Sequence, residues 1–434
     1  MAIPLDVVKT IVVLMQENRS FDHMLGYLSL PPWNRSDVDG LKTDPAWLAA
    51  VANPYNGKNY APFPLKNSAQ MLPGDPPHDR AHIATQLGPG PDFPMKGFVQ
   101  SCPALDPAAQ QPVVMGYFTG DQLPTTDFFA KNYSVCDRWF SSLPTSTQPN
   151  RIMLMAGASK IDDNRDTLPA QELVYDWLEA KRIRWRVYHQ GIPFFALMPQ
   201  WIPRILLDDN FRDFSRLVAD VQNEDDKTFS QVIFIEPRFT DSPHVETPTD
   251  DHAPSALSSG QAFMAQVYSA LVSNKDRWQG TVLVIMYDEH GGFFDHVRPP
   301  PAATSAPANE YPAFSSLGVR VPGFVVSPLV EPGAVFHGVL DHTSVLKFIA
   351  DKFTPGQPYS DAVGQRPVAS VTDVLTRTSP RADIPLPGSA RAGYSSGARP
   401  ADPTPLGFQK ALAGLRNLNQ DATDKKFPEI ADHF

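Results

Sequence analysis

The sequence predicts an α/β fold in which a mostly parallel central sheet is covered by helices on both faces. Apolar runs of strand length recur along the chain, and segments with helical periodicity lie between them. Strands that are apolar throughout are buried on both sides, which is typical of parallel sheets covered by helices. The chain has 434 residues, of which 42% are hydrophobic, so it can form a large core.

The pattern of apolar residues along the chain predicts each strand and helix in turn. The first strand is predicted from a β-branched apolar run, and later strands from shorter runs of the same kind. The predicted strands are 7–15, 134–140, 183–189, 231–236, 282–287 and 323–327. The intervening segments repeat apolar residues at helical spacing, and 260–272 is also rich in alanine. The predicted helices are 21–28, 150–158, 171–181, 260–272 and 343–352.

The chain shows no internal repeat and no clear boundary within residues 1–376, which we interpret as one catalytic domain. Residues 30–76 and 299–313 are predicted to be loops. The stretch 377–407 is rich in Pro, Gly, Ser, Ala and Arg and is typical of an extended arm. A helix at 408–418 would then dock on the body, so 377–434 is expected to form an arm and a packing C-terminal segment.

Bulk composition excludes several classes of protein. The net charge is −10 without a cluster of Lys and Arg, which disfavours a nucleic-acid partner. The longest apolar runs, such as 282–287, are too short to cross a bilayer. Two cysteines, Cys102 and Cys136, exclude a disulfide scaffold but not a single bridge. No leader-like segment opens the chain, so a cytoplasmic protein and a secreted one with its leader removed both stay open, as does the oligomeric state.

Polar residues gather just after the predicted strands. In a parallel sheet the ligand site lies beyond the carboxyl ends of the strands, so these residues are expected to meet at one edge. They are Glu17 and Asn18 after the first strand, Thr147 in the loop 141–150, His189 after 183–188, and Asp288, Glu289 and His290 after 282–287.

Adjacent carboxylates after a buried strand are costly unless a cation neutralises them. Glu17, Asn18, Asp288 and Glu289 offer hard oxygen ligands, which favour Ca²⁺, Mg²⁺ or Mn²⁺ over Zn²⁺. The alternative is that Asp288-Glu289 begins an ordinary polar loop. The glycine pair at 291–292 weakens that alternative, because glycines let the backbone approach a ligand closely.

Thr147 and several histidines are candidates for the chemistry. Pro149 suits the first turn of a helix, so Thr147 lies at or beside an N-cap, where it either caps the helix or serves as a nucleophile. A helix N-terminus also favours anions, which suits attack on phosphorus. His78, His189 and His252 are candidates for proton transfer, although a lone histidine is often structural. His290 is a further candidate, and the pair at 295–296 is expected to support the site from behind.

Three long motifs resemble the phosphoesterase family that contains the non-specific phospholipases C of plants and bacteria and a group of bacterial acid phosphatases. They are ENRSFDHMLG at 17–26, CDRWF with STQPNR at 136–140 and 146–151, and YDEHGGFFDHV at 287–297. Shorter echoes are GFVQ at 97–100, DDH at 250–252 and DHTS at 341–344. The resemblance runs in order from about residue 7 to 353.

The resemblance implies an alkaline-phosphatase-like fold with one divalent metal ion. Its metal ligands, carried over by position, would be Glu17, Asn18, Thr147, Asp288 and Glu289. Thr147 would be the nucleophile that forms a phosphothreonine intermediate. The histidines that contact phosphate oxygens or the leaving group would be His78, His189 and His252, with Asn18 and His290 also binding phosphate. Ser255 departs from the plant pattern, which has a second histidine there, and this puts substrate preference in doubt.

The function expected from these features is hydrolysis of the glycerol-side phosphodiester of phospholipids. An acid phosphatase acting on phosphomonoesters is the alternative within enzymes, and a non-catalytic, metal-stabilised binding protein is the alternative outside them. A sulfatase is disfavoured because the Cys/Ser-x-Pro-x-Arg signature is absent. The substrate is expected to be a phospholipid or a small phosphate ester, with transient contact to a membrane surface. The apolar segment 193–207 would either line an acyl-chain entrance or pack in the core.

Overall fold

A computed structural model describes residues 5–68, 72–243, 247–303, 311–388 and 406–428. Its strands are β1 (Thr10–Gln16), β2 (Asn53–Tyr55), β3 (Lys58–Tyr60), β4 (Phe63–Pro64), β5 (Gly116–Tyr117), β6 (Ser134–Cys136), β7 (Trp185–His189), β8 (Phe211–Asp213), β9 (Val232–Glu236), β10 (Thr281–Tyr287), β11 (Gly323–Val326) and β12 (Val335–Phe336).

The α-helices are mostly short and lie between these strands. They are α1 (Phe21–Leu25), α2 (Pro45–Val51), α3 (Arg80–Leu87), α4 (Phe98–Ser101), α5 (Pro124–Asn132), α6 (Thr147–Ala156), α7 (Val174–Ala180), α8 (Ile202–Leu207), α9 (Leu217–Asn223), α10 (Ser258–Val272), α11 (Lys275–Trp278), α12 (Thr343–Phe353), α13 (Asp361–Gln365) and α14 (Leu406–Lys426). None of the helices in these described ranges is long and apolar enough to cross a bilayer.

Eight strands form the central sheet in the order β12-β6-β11-β10-β1-β9-β7-β8. β1 pairs in parallel with β10 and β9, and β7 pairs in parallel with β9 and β8. β11 is antiparallel to both β10 and β6, so β6 runs in the same direction as β10. The carboxyl ends of β1, β6, β7, β9 and β10 therefore lie at one edge of the sheet, as the sequence predicts.

Every residue of β1 and β10 is buried, which means that both faces of the sheet centre are covered. Helix α10 packs against α5, α9 and α11, and helix α12 packs against α6 and α13. The predicted α/β class with a mostly parallel, covered sheet is confirmed.

Several predicted bounds differ from the structure. The region 30–76 contains α2 and three short strands besides loops. The strand predicted at 134–140 pairs regularly only as far as Cys136, and beyond it Trp139 and Phe140 make isolated bridges. The helix predicted from residue 150 begins at Thr147, because Pro149 fits its first turn. The helix predicted at 171–181 is shorter and spans Val174–Ala180.

The C-terminal helix α14 extends well beyond the predicted 408–418 and has a non-helical residue at Asn419. It packs on α8 and on the short 3₁₀ helix at Phe194–Leu197. Most of the apolar segment 193–207 is buried in the core beneath it, so that segment does not form an exposed acyl-chain entrance. Residues 389–405 of the predicted arm lie outside the described residues.

Candidate active site

Asn18 lies at the centre of the polar edge, two residues after β1. Its φ of +62° is in the left-handed region, which asparagine tolerates better than most side chains. The backbone N–H of Asn18 donates to Asp288 Oδ1 at 3.0 Å, so the turn after β1 is fixed by a carboxylate that follows β10.

The side-chain amide of Asn18 faces five residues of the predicted site, three of them at one of its two terminal atoms. One amide atom lies 3.2 Å from Thr147 Oγ1, 3.3 Å from Asp288 Oδ1 and 2.6 Å from Glu289 Oε1. If this atom is the amide nitrogen, it donates to these oxygens. If it is the amide oxygen, it accepts from the Thr147 hydroxyl, and four oxygen atoms converge in an arrangement that suits a cation.

Thr147 is the first residue of α6, following Ser146 as the N-cap. Its side chain is 9% exposed, so the hydroxyl is nearly buried but borders the cleft. Ser146 Oγ donates to Asp163 instead of capping the helix. A helix N-terminus beside a hydroxyl is favourable for an anionic group that reacts there.

His78 and His252 stand on the other side of the Asn18 amide. The Nε2 atoms of His78 and His252 lie 3.2 Å and 2.7 Å, respectively, from the other terminal atom of this amide. His78 Nδ1 lies 2.7 Å from the carbonyl oxygen of Pro76, and His252 Nδ1 lies 3.1 Å from Glu17 Oε2. These contacts to Nδ1 orient both rings so that their Nε2 atoms point into the same space.

Asp75 closes this space from an exposed loop. Its carboxylate lies 3.2 Å from His252 Nε2 and 3.7 Å from His78 Nδ1. Burial lowers the pKa of His78, but Glu289 and Asp75 outweigh it and raise that pKa to about 9. Burial also opposes protonation of His252, yet Asp75 and Glu17 raise its pKa well above the ordinary value.

Arg151 neutralises part of the acidic charge. Its Nε lies 3.0 Å from Glu17 Oε1 and 3.5 Å from Asp288 Oδ2. Burial alone would raise the pKa of Glu17, but Arg151 and His252 bring it below the ordinary value. Burial and then the neighbouring Glu17 raise the pKa of Asp288 well above its usual range. Asp288 Oδ2 is a buried atom without a hydrogen-bond partner among the described residues.

Several sets of side chains at or near this edge could hold a metal ion. Asp75, His78 and His252 place three donor atoms within 4.8 Å of one another, as do Glu17, Asp250 and His252. The oxygens of Asn18, Thr147, Asp288 and Glu289 form the cluster described above. Glu17 is predicted as a fifth ligand beside them. Arg151 and His252 contact its two carboxylate oxygens, and its role as a ligand stays a prediction.

His189 and His290 make their described contacts with residues other than Thr147, and their predicted roles at the site stay predictions. The ring of His189 lies 5.6 Å from that of Phe427 in the C-terminal region, and its Nδ1 is 2.8 Å from the Gly191 carbonyl oxygen. β7, which carries it, is separated from β1 by β9. His290 Nε2 lies 2.8 Å from Gln86 Oε1 and its Nδ1 is 3.3 Å from Glu289 Oε2. His290 therefore lies beside Glu289 and is held by Gln86.

Two expectations about the third motif change. Gly291 and Gly292 were predicted to let the backbone approach a ligand, but they approach other parts of the chain. A Cβ at Gly291 would lie 2.1 Å from the carbonyl oxygen of Asn18. A Cβ at Gly292 would lie 2.8 Å from the Pro77 carbonyl oxygen. The pair at 295–296 supports a separate ion-pair cluster and does not contact the oxygen cluster around Asn18.

The sequence analysis assigned no role to Arg151 or Asp75. Arg151 follows Thr147 by four residues, a spacing that places both on one face of a helix. Asp75 precedes His78 by three residues and is separated from it by two prolines. Both signals are present in the sequence, but neither reveals which strand ends or histidines these side chains contact.

Comparisons with known proteins agree with the motif analysis. A model of the Phosphoesterase family matches residues 8–354. Non-specific phospholipase C3 of Arabidopsis thaliana is 32% identical over 413 residues, covering 87% of this chain and 75% of that protein. Non-specific phospholipase C4 of the same plant is also 32% identical, covering 87% and 73%. The non-hemolytic phospholipase C of Burkholderia pseudomallei is 29% identical, covering 94% and 65%.

Proposed function

This chain belongs to the phosphoesterase family, and we propose that it hydrolyses the glycerol-side phosphodiester of phospholipids with Thr147 as its nucleophile. It is a hydrolase of phosphoric ester bonds, of the phospholipase C type. The observation that carries the nucleophile assignment is the position of the Thr147 hydroxyl. This hydroxyl lies beside an oxygen cluster, and His78 and His252 contact the opposite end of the same Asn18 amide.

The donor set fits one divalent metal ion. The oxygens of Thr147, Asp288 and Glu289 would hold it, joined by the Asn18 amide oxygen in the orientation in which that oxygen lies 3.2 Å from Thr147 Oγ1. Such a set of oxygen ligands favours Ca²⁺, Mg²⁺ or Mn²⁺. The carboxylates of Asp288 and Glu289 are fully buried, and such groups need a compensating positive charge. When bound, such an ion would lower the pKa of the Thr147 hydroxyl and withdraw electrons from the phosphoryl group.

The residues of the chain supply the remaining steps. Thr147 releases its hydroxyl proton to solvent, and Oγ1 attacks phosphorus in line to form a phosphothreonine while the bond from phosphorus to the glycerol oxygen breaks. His78 or His252 donates a proton to that departing oxygen, so diacylglycerol leaves as the alcohol. Water then attacks phosphorus and the bond from phosphorus to Thr147 Oγ1 breaks, which releases the phosphorylated head group. A proton of the water returns to Oγ1, and the histidine regains its proton from solvent. The cationic imidazoles also stabilise the charge on the phosphoryl oxygens.

The nucleophile assignment is tested by Thr147→Ala. Removing the hydroxyl should lower kcat by at least about 1,000-fold, because no other hydroxyl of the cluster can form the covalent intermediate. Thr281→Ala is the matched control, since Thr281 is a buried threonine at the opposite end of β10 whose hydroxyl donates to the Arg277 carbonyl. Circular dichroism checks folding of both variants. Turnover by folded Thr147→Ala within tenfold of the parent protein would refute the assignment.

The substrate class is tested with a chromogenic phosphocholine diester, the corresponding phosphomonoester and phosphatidylcholine vesicles. We expect the diester and the vesicles to be hydrolysed, activity to be lost with a chelator, and Ca²⁺, Mg²⁺ or Mn²⁺ to restore it. Preference for the monoester would instead identify an acid phosphatase. Vesicle sedimentation in the same assays measures the proposed transient contact with a membrane surface.

A further inference from the structure

Arg151 is a buried cation on the helix that carries Thr147. The residue has 0% exposure, although residues with long charged side chains are seldom fully buried. It follows Thr147 by one helical turn in α6, so the two side chains share a face of that helix. The guanidinium packs over the ring of Phe239, with 4.8 Å between its central carbon and the ring centroid.

Three contacts of this guanidinium reach the ends of two central strands. Its Nε contacts Glu17 Oε1 at 3.0 Å, after β1, and lies 3.5 Å from Asp288 Oδ2, after β10. Its Nη2 donates to the carbonyl oxygen of Met15, within β1, at 3.2 Å. One side chain on α6 therefore spans the junction of β1 and β10.

Each carboxylate that Arg151 contacts offers its second oxygen to the site. Asp288 turns Oδ2 towards Arg151 and Oδ1 towards the backbone N–H of Asn18. Glu17 turns Oε1 towards Arg151 and Oε2 towards Nδ1 of His252. Arg151 therefore orients Asn18 through Asp288 and His252 through Glu17.

We propose that Arg151 is a positioning residue that fixes Thr147, Asn18 and His252 relative to one another by clamping α6 to the ends of β1 and β10. The proposal rests on Thr147 being the nucleophile. A buried ion pair often stabilises a protein no more than apolar side chains of the same size would. The principal effect of these ion pairs is therefore the geometry that they impose on the site. A lysine would keep the charge but not the planar fork, whose nitrogens reach carboxylates and a carbonyl in fixed directions.

The test is Arg151→Lys, compared with Arg320→Lys. Arg320 is also fully buried and contacts two carboxylates, Asp22 and Asp295, but none of the groups that surround Thr147. We expect Arg151→Lys to lower kcat per folded molecule by about 100-fold, because misplacement of reacting groups by about 1 Å has effects of that size. KM should change less than threefold. Arg320→Lys should lower the midpoint of thermal unfolding while kcat per folded molecule stays within threefold.

A second readout separates positioning from a purely structural role. Orthovanadate mimics the five-coordinate phosphorus of the transition state, so its affinity should fall in parallel with kcat/KM in Arg151→Lys. If that variant does not fold, Phe239→Leu removes the aromatic face beneath the guanidinium with a small change in apolar packing, and about a tenfold loss of kcat is expected.

The results distinguish this proposal from the one it rests on. An active Thr147→Ala variant would refute the nucleophile and the positioning role together. An inactive Thr147→Ala variant, with Arg151→Lys turning over at the parent rate per folded molecule, would overturn the positioning role alone. Unchanged orthovanadate affinity in a slow Arg151→Lys variant would also overturn it.

Discussion

Asn18 illustrates how a single residue organises this site. Its backbone is left-handed, its N–H is held by Asp288, and its amide contacts Thr147, Glu289 and two histidines. A small polar side chain with both a donor and an acceptor is needed at such a position. The backbone carbonyl of Asn18 is confined as well, because Gly291 approaches it too closely for any side chain at that glycine.

Gly291→Ala should therefore disable the site. Gly291 has φ +62°, and a Cβ there would lie 2.1 Å from the Asn18 carbonyl oxygen, so Asn18 must move. We expect kcat to fall by about 100-fold. Gly57→Ala is the matched control, because Gly57 has φ +74° but no atom within 4 Å of the added Cβ. That variant should lose only about 1–2 kcal/mol of stability from backbone strain and keep its kcat. Equal kcat values for the two variants would contradict the steric explanation.

At the scale of secondary-structure elements, a second buried ion-pair cluster, which we call the Arg320 cluster, joins α1 to the loop that follows β10. It consists of Asp22, Asp39, Asp295, His296 and Arg320. Arg320 contacts Asp22 at 3.0 Å and Asp295 at 3.1 Å. His296 lies 2.7 Å from Asp22 and 3.2 Å from Asp39. The cluster therefore holds α1, the segment around Asp39 and the loop around Asp295 to one another.

The Arg320 cluster should make stability depend on pH through His296. Burial lowers the pKa of His296, but Asp22 and Asp39 outweigh it and raise that pKa to about 9. A raised folded-state pKa stabilises the protein fully below the unfolded value of about 6.5, and this contribution is lost as the pH rises through 9. His296→Gln should remove this contribution. From pH 6.5 to pH 10 the free energy of unfolding should therefore decrease more in the parent protein than in the variant, by on the order of 3 kcal/mol.

Urea unfolding at several pH values measures this difference. The other buried histidines are present in both proteins, so their titration cancels in the comparison. Asp295, whose pKa is raised to about 6 by burial, titrates below this window. Parallel stability curves for the two proteins above pH 6.5 would contradict the assignment to His296.

At the scale of the whole molecule, the sequence predicts the sheet well because its central strands are apolar along their full length. Val282 to Tyr287, for example, belongs to a strand that is buried on both faces. The antiparallel direction of β11 could not be predicted, since a short apolar run such as Gly323–Val326 is the same in either direction.

The site was predictable to the level of residue types at strand ends. Glu17, Asn18, Thr147, His78, His252, Asp288 and Glu289 are brought close together. His189 also follows a strand, but its ring turns to a C-terminal phenylalanine far along the chain. Side-chain direction depends on such distant contacts, and no local pattern encodes them.

The C-terminal helix explains why the apolar segment 193–207 is core. Phe408 lies against Phe239, and Ala411, Leu412 and Leu415 are buried on the face of α14 that covers this part of the protein. Lys426 donates to the carbonyl oxygens of Ile205 and Phe211, which ties the end of α14 to α8 and β8. We propose that residues 377–388 and 406–428 belong to the folded body, with α14 sealing its apolar side.

Leu415→Ala and Leu418→Ala test this seal within one helix. Leu415 has 0% exposure, so its truncation should leave a cavity and lower the free energy of unfolding by about 2–5 kcal/mol. Leu418 is 49% exposed, and the same truncation there should cost less than about 1 kcal/mol. Chemical denaturation followed by tryptophan fluorescence measures both, because Trp201 is buried in the segment that α14 covers. If α14 were only loosely attached, the helix would detach before the body unfolds. Both variants would then have the unfolding midpoint of the parent protein. If instead α14 unfolds together with the core, Leu415→Ala should lower the midpoint and Leu418→Ala should not.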